Sequence, residues 1–484
     1  MTGAPMSRRQ ALGLLGLGTA GVAAGAIGWA ASVGTPTGGA MPAVSGERLR
    51  QPTVLDSRAG VLGATLTAAP GVQLAGRQTS AWGYNGSCPG PTLRIRPGDL
   101  LRLRLVNRID QPTNLHTHGL HVPPRANGDN PFVTVAPGES FDYEIAVPDD
   151  HPTGTFWYHP HHHGTVADQI FAGLAGALLV TGEPDLPVTD DLVLLVTDTT
   201  LDSAGRVASP GPMARMLGRE GNLVLVNGQH QPVIRSAVGA VQRWRIINGC
   251  VSRVLALRLE GHTLTQVALD GAFLPAPAER DRVVLAPGNR ADLLAHPTRN
   301  GRYALIGDPY DRGRLGMMGS DRSASGPVTL AWLDVSGPAA ASPVLPTTLP
   351  APRVPADAVA RRRQVTFAMG MGRMGMGMAF TIDGRTFDPG RDDQTIEFGT
   401  TEEWTVVNTS LMDHPFHLHA WPFHVLDAPG GAAAAARQDV VLVPAGDAIR
   451  LRIPFVDFGG RSVYHCHVLD HEDLGMMATV NVQA

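Results

Sequence analysis

"TLRIRPGDLLRLRLVNR", Thr92 to Arg108, reads as a short strand, a Pro-Gly-Asp turn and a longer strand in which leucine alternates with arginine. Alternation at period two marks a strand with one face in a core and the other in water. The stretch is echoed by "VIRSAVGAVQRWRIING" (Val233 to Gly249) and by "TIEFGTTEEWTVVNT" (Thr395 to Thr409), and each copy closes on an asparagine: Asn107, Asn248 or Asn408. A second element follows every copy: "VAPGESFDYEIAVP" from Val135, "LAPGNRADLLAHP" from Leu285 and "LVPAGDAIRLRIP" from Leu442. A third closes it: "GTFWYHPH" from Gly154, "GRYALIGDP" from Gly301 and "RSVYHCHV" from Arg461. Three copies in one order predict three related β-domains. Short alternating strands with regular turns predict an all-β fold of Greek-key sandwiches or barrels. We expect domains at 44–182, 183–337 and 338–484, with a short acidic link at Glu183 to Asp190 and a Pro/Ala-rich linker at Ser336 to Asp357.

Composition agrees with this division. The chain has 484 residues, 43% hydrophobic and 17% charged, which suits a globular protein of several domains. A net charge of −4, no lysine and no basic run beyond Arg361 to Arg363 argue against a nucleic-acid partner. Three cysteines, Cys88, Cys250 and Cys466, make no disulfide framework. Cys88 and Cys250 read as packed thiols, with a bond between them as the alternative. Residues 1–43 are set apart: Ser7-Arg8-Arg9-Gln10 precedes an apolar Gly/Ala-rich run from Ala11 to about Val33. Twin arginines ahead of such a run predict a twin-arginine export signal, placing the working protein in the cell envelope, periplasmic or extracellular. If uncleaved, the same run would anchor the chain in a membrane. A monomer is expected.

Histidines stand on this frame in four His-x-His pairs: His116/His118, His159/His161, His417/His419 and His465/His467. On an extended segment each pair presents two imidazoles to one face. Two pairs lie in copy one and two in copy three. Copy two has none, reading "GDP" where the others read "HPH" and "HCH", so domain two is expected to serve as a spacer without metal. The economical arrangement gathers eight imidazoles between domains one and three. One tetrahedral zinc uses at most four ligands, whereas eight neutral imidazoles without carboxylates suit several copper ions. Cys466, facing away from His465 and His467, has His414, His471 and Met476 nearby. Two histidines, a thiolate and a thioether are the ligand set of a blue-copper centre.

"HTHG", "WYHPHHHG", "HPFHLH" and "HCHVLDHEDLGMM" closely resemble the four copper-binding motifs of the multicopper oxidases, the laccase and ascorbate-oxidase superfamily. The likeness runs from about Gln51 to the C-terminus. It implies three cupredoxin-like domains and four coppers per chain: one type 1, one type 2 and a type 3 pair. By the same resemblance His414, Cys466, His471 and Met476 hold type 1 copper, and His116 and His417 hold type 2. His118, His159, His161, His419, His465 and His467 hold the type 3 pair. His121, His162, His163 and His424 fall outside the pattern, as neighbouring or surface groups. The implied activity is one-electron oxidation of a reducing substrate, coupled through Cys466 and its flanking histidines to four-electron reduction of O2 to water. Glu472, beside His471, matches a proton-relay carboxylate of the family. The other such acid usually lies about ten positions past the first motif. Asn127 stands there, leaving Asp129, two further on, as the candidate. The alternative for both is a solvated or turn-stabilising carboxylate.

"MGMGRMGMGM" places Met369, Met371, Met374, Met376 and Met378 within one stretch at the start of domain three. Soft thioethers select Cu(I), and the placement is similar to methionine-rich inserts of bacterial oxidases that detoxify copper. The expected substrate is Cu(I), with Fe(II) or phenols as other donors, and the expected role copper tolerance. The alternatives are a laccase-type phenol oxidase, with the methionines merely filling gaps, a copper-sequestering protein or a nitrite-reductase-like protein. A division protein of cupredoxin descent would have lost ligands that are all filled here.

Overall fold

The computed structural model describes residues 45–182, 185–313, 326–371, 378–427 and 437–483. The twin-arginine stretch, Glu183 and the side chains of Met371, Met374 and Met376 lie outside the described residues. Each third of the chain forms two packed sheets. In the first, strands 54–56, 92–95, 176–180, 154–159 and 116–118 make one sheet, and 82–84, 61–70, 100–107 and 140–146 the other. The second third pairs a six-stranded with a five-stranded sheet, and so does the last. Apolar clusters fill each sandwich, around Leu103 and Tyr143, around Trp244 and Leu293, and around Trp404 and Phe416.

The two strands of each repeat do not pair with each other. Thr92–Ile95 lies in one sheet and Leu100–Asn107 in its partner, so the turn carries the chain across the sandwich. That crossing needs a left-handed residue, and a glycine supplies it in every copy: Gly98, Gly239 and Gly399 have φ of 83°, 84° and 81°. Along Leu100–Asn107 the alternation is as expected, with Leu101, Leu103 and Leu105 buried and Arg102 and Arg104 exposed. It fails in copy two, where Gln242–Asn248 is buried on both faces. The outer face there lies against domain one: Arg245 Nη1 donates to Thr155 Oγ1 at 3.1 Å, and Arg243 is paired with Asp292.

The repeated asparagine has a common task. Asn107 Nδ2 donates to the carbonyls of Gln111 and Val135 at 2.8 and 2.9 Å, and its Oδ1 accepts from Ile109 N at 3.0 Å. Asn248 binds Arg253 O, Leu285 O and Cys250 N in the same way. Asn408 binds Met412 O, Val443 O and Ser410 N. One buried amide thus satisfies three backbone groups where a strand ends, which a buried backbone requires.

Three short helices lie at the junction: α1 (Val166–Phe171), α2 (Pro212–Leu217) and α3 (Leu469–Asp473). Between them one apolar cluster joins Trp157 and Ile170 of domain one, Leu195 and Ile247 of domain two, and Leu469 of domain three. The Asp473 carboxylate accepts from the N–H groups of Gly164, Val166 and Ala167, so domain three caps a helix of domain one. Cys88 and Cys250 are both free thiols. Among the described residues no helix is long and apolar enough to cross a membrane.

Asn248 offers a test of the asparagine's role away from any histidine pair. Asn248→Ala orphans two carbonyls and one N–H, each worth about 1–3 kcal/mol when buried. We expect a loss of about 3 kcal/mol, a Tm lower by about 6–12 °C in calorimetry. An unchanged Tm would show the amide to be dispensable.

Candidate metal centres

Strand pairing brings the His-x-His motifs together. His116–His118 runs antiparallel to Gly154–His159, with His116 opposite His159. His414–Leu418 runs antiparallel to Gly460–Cys466, with His417 opposite His465 and Phe416 opposite Cys466. The two strand pairs meet face to face, so rings of domain one stack on rings of domain three. His116 lies on His419 at 3.8 Å between centroids, and His118 on His417 at 4.0 Å. All eight imidazoles are buried. Their nitrogens form three groups, each within 4.8 Å: His116/His118/His417, His118/His159/His467 and His161/His419/His465.

Hydrogen bonds decide which nitrogen of each ring carries the proton, because a carbonyl can only accept. His159 Nδ1 donates to Pro160 O at 2.8 Å, His417 Nδ1 to Asp439 O at 2.7 Å and His465 Nδ1 to Cys466 O at 3.0 Å. In each, Nε2 is left as a bare lone pair. His118 is turned the other way: its Nε2 faces Asp439 Oδ1 at 3.0 Å, leaving Nδ1 bare. Two of these bare nitrogens confront each other: His118 Nδ1 lies 3.3 Å from His159 Nε2. His161 Nε2 and His419 Nε2 each lie 3.1 Å from His465 Nε2, whose single lone pair can accept a proton from only one of them. Nε2 of His116 and of His417 has no hydrogen-bond partner. Lone pairs so close need a cation between them, so the residues fit a metal cluster. Burial, then the neighbouring imidazoles, hold His118, His159, His161, His417, His419 and His467 well below the usual histidine range, and burial lowers His465 to about 3. Neutral imidazoles are what metal binding requires.

On the opposite face of the last strand, His414 Nδ1 lies 3.2 Å and His471 Nδ1 3.9 Å from Cys466 Sγ, and the two nitrogens are 3.3 Å apart. Ser410 Oγ holds His414 Nε2 at 2.8 Å, and Met216 O accepts from His471 Nε2 at 3.1 Å, so His471 Nδ1 turns its lone pair toward the sulfur. Burial lowers His414 to about 3 and pushes the Cys466 thiol up, so a thiolate here needs a cation beside it. Met476 is fully buried in the same core, with its backbone bonded to Cys466 N and His471 O.

Neither candidate carboxylate is solvated. Asp129 is 2% exposed, both its oxygens lie 3.0 Å from His116 Nδ1, and it accepts from Thr117 N at 2.9 Å. Asn127, at the usual spacing, is bonded instead to the carbonyl of Asp142 at 3.3 Å. Glu472 lies 3.3 Å from His465 Nδ1 and 3.5 Å from His161 Nε2, without a hydrogen-bond partner for either oxygen. Burial, with Asp473 beside it, holds Glu472 well above the usual range. His121 bridges Ala420 O and Asp457, His163 packs on Phe387, and His162 and His424 stand outside every metal group found among the described residues.

Domain two departs from the spacer expected of it. It contributes no member to these groups, but Gly288 leaves no room for a Cβ beside the imidazoles of His467 and His118, Arg290 grips Asp439, and Met216 holds His471. The repeat carried one signal of this. Glu139, Asn289 and Asp447 accept equivalent bonds from Asn107, Asn248 and Asn408, so Arg290 stands where the other copies have Ser140 and Ala448.

The chain matches the multicopper oxidase family over residues 67–185, 190–337 and 356–484. It is 27% identical to the multicopper oxidase mco of Staphylococcus aureus, over 84% of this chain and 85% of that one. It is 31% identical to the cell division protein FtsP of Edwardsiella tarda, over 73% and 75%. A multicopper oxidase from Campylobacter jejuni, described as a metallo-oxidase, superposes with a TM-score of 0.83 at 29% identity, over 93% of this chain and 98% of that one. With its histidine clusters fitted to copper, the chain belongs to the multicopper oxidase family: an all-β, copper-dependent oxidoreductase of cupredoxin-like domains that uses O2 as acceptor.

Proposed function

We propose that the protein oxidises a small reducing donor, cuprous copper foremost, at the Cys466 centre and delivers the electrons to O2 among the eight imidazoles. In this reading His414, Cys466, His471 and Met476 hold type 1 copper, His116 and His417 hold type 2, and His118, His159, His161, His419, His465 and His467 hold the type 3 pair. Bound there, copper supplies one-electron chemistry at the first centre and four-electron reduction of O2 to two waters at the second. The protein supplies the path and the protons. Cys466 lies between His465 and His467 in one extended segment, so a few covalent bonds join the centres. Glu472, kept neutral by burial, holds a proton beside His161 and His465, and Asp129 stands against His116.

One observation carries the choice of donor. His471 is fully buried, and its outer edge is closed by α2, whose Met216 carbonyl takes the Nε2 proton. A bulky phenol finds no open imidazole edge to lie against. A small cation needs only soft ligands outside it, and methionines ring this core: Met216, Met369 and Met378 are the partly buried residues packed against the cluster containing Cys466 and Met476. Met369 and Met378 are held there by the antiparallel pairing of Val359–Met371 with Met378–Ile382. Laccase-type phenol oxidation is the second reading, favoured by Leu411 and Leu474, 60% and 42% exposed, three residues from His414 and His471. With the twin-arginine stretch read as an export signal, the protein works as a monomer in the cell envelope, in copper tolerance.

Changing Met374, Met376 and Met378 together to Ser raises KM for Cu(I) about tenfold, the loss of about 1.4 kcal/mol of binding, and spares small phenols. Unchanged Cu(I) kinetics would reject cuprous oxidation in favour of an ordinary laccase. Cys466→Ser removes the blue colour and turnover while the histidine-bound copper stays, since the imidazoles lie on the other face. Substantial oxidase activity in the copper-loaded variant would sink the assignment.

A further inference from the structure

We infer that Arg290, from the domain that holds no metal, is a positioning residue for the trinuclear histidines and acts through Asp439. The inference rests on the ligand reading above. Arg290 is fully buried and makes a two-pronged pair with Asp439: Nη1 to Oδ1 and Nη2 to Oδ2, both 2.6 Å. Its Nε donates to Thr155 O at 3.2 Å, and its guanidinium lies over the Phe156 ring at 5.7 Å. One side chain of domain two therefore holds domain one and domain three together. Asp439 passes the constraint on. Its Oδ1 accepts from His118 Nε2 at 3.0 Å and its backbone carbonyl from His417 Nδ1 at 2.7 Å. These bonds set the orientation of two stacked rings and direct His118 Nδ1 and His417 Nε2 inward. His118 is the one ring of the cluster whose outer nitrogen depends on Asp439's side chain, so its reversed tautomer follows from where Arg290 holds that carboxylate.

The turn carrying Arg290 is built for this place. Gly288 has φ of +89°, and a Cβ there would lie 2.9 Å from His467 Nε2 and 3.1 Å from His118 Cε1, so the backbone walls the imidazole cavity. Asn289 Nδ2 donates to Asp270 and to Val440 O, and Asp270 also accepts from Arg290 N and Val440 N, which locks the turn beside Asp439. On the domain-one side, a Cβ at Gly119 would collide with Arg290 Nη2, so only glycine admits the guanidinium.

Arg290→Met alone would strand the buried carboxylate of Asp439 and remove the cation 3.4 Å from buried Asp270, and stranded charges can unfold the seam. The test therefore uses Arg290→Met/Asp439→Asn, which removes both charges of the pair, with Leu305→Ala, in the buried core of the same domain, as a structural control. We expect the double variant to bind the copper held by His118 and His417 about 10–100-fold more weakly, as loss of groups behind ligands does. Its type 2 electron paramagnetic signal shrinks or shifts in metal titration, while the blue absorbance per chain stays native. Leu305→Ala lowers Tm with native spectra in both. Full copper and a native type 2 signal in the double variant would overturn the inference. So would blue absorbance falling in step with the type 2 signal, because that pattern means general destabilisation. A type 2 loss in Leu305→Ala would overturn it too. If the oxidase reading itself failed, wild-type protein would show no type 2 signal at all.

Discussion

Bare nitrogen lone pairs point into the seam between the first and third domains, and the surrounding structure keeps them there without protons. His118 Nδ1 and His159 Nε2, 3.3 Å apart and lone pair to lone pair, repel unless a cation lies between them. Burial prevents the alternative, which is protonation, by taking the rings out of water. Carbonyls of Pro160, Asp439 and Cys466 take the outward protons and so choose the inward atom. Period-two geometry does the rest: a strand that shows His465 and His467 to the seam must show Cys466 to the core of domain three. Two centres a residue apart in sequence are a consequence of that pleat.

Buried arginines secure the seam, and they come largely from domain two. Arg219 binds Asp470 of α3 and Asp168 of α1, and Arg290 binds Asp439. Such pairs add little net stability, but breaking one leaves a charge stranded, so they fix geometry more than they strengthen the fold. Two of these carboxylates adjoin the metal groups: Asp470 precedes His471, and Asp439 carries two ring bonds. Domain two thus sets how domains one and three face each other without providing a ligand.

Much of this was legible in the sequence because it is local and periodic. The repeat, the glycine turns, the closing asparagines and the His-x-His pairs depend on residues a few positions apart. Where contacts span domains, the text failed. An alternating strand should keep one wet face, yet in copy two that face is buried and Arg245 reaches Thr155 of domain one. Arg290 and Asp439 are 149 positions apart, and nothing in either segment names the other. The choice between Asn127 and Asp129 depended on a loop, which has no period to count along; the structure sends Asn127 to a neighbouring strand and Asp129 to His116. A turn between two strands says nothing about which sheet each strand joins, so the crossing from one sheet to the other was not legible.

The central claim is that the seam and the thiol site are separate copper centres built from the named atoms. Anomalous diffraction at the copper absorption edge, from crystals of copper-loaded protein, addresses it most directly. The account predicts one peak among His414, Cys466 and His471, and three within the imidazole cavity, at His116/His417 and at the two histidine triplets. A peak at Cys466 with an empty cavity, or a single peak in the cavity, would contradict it.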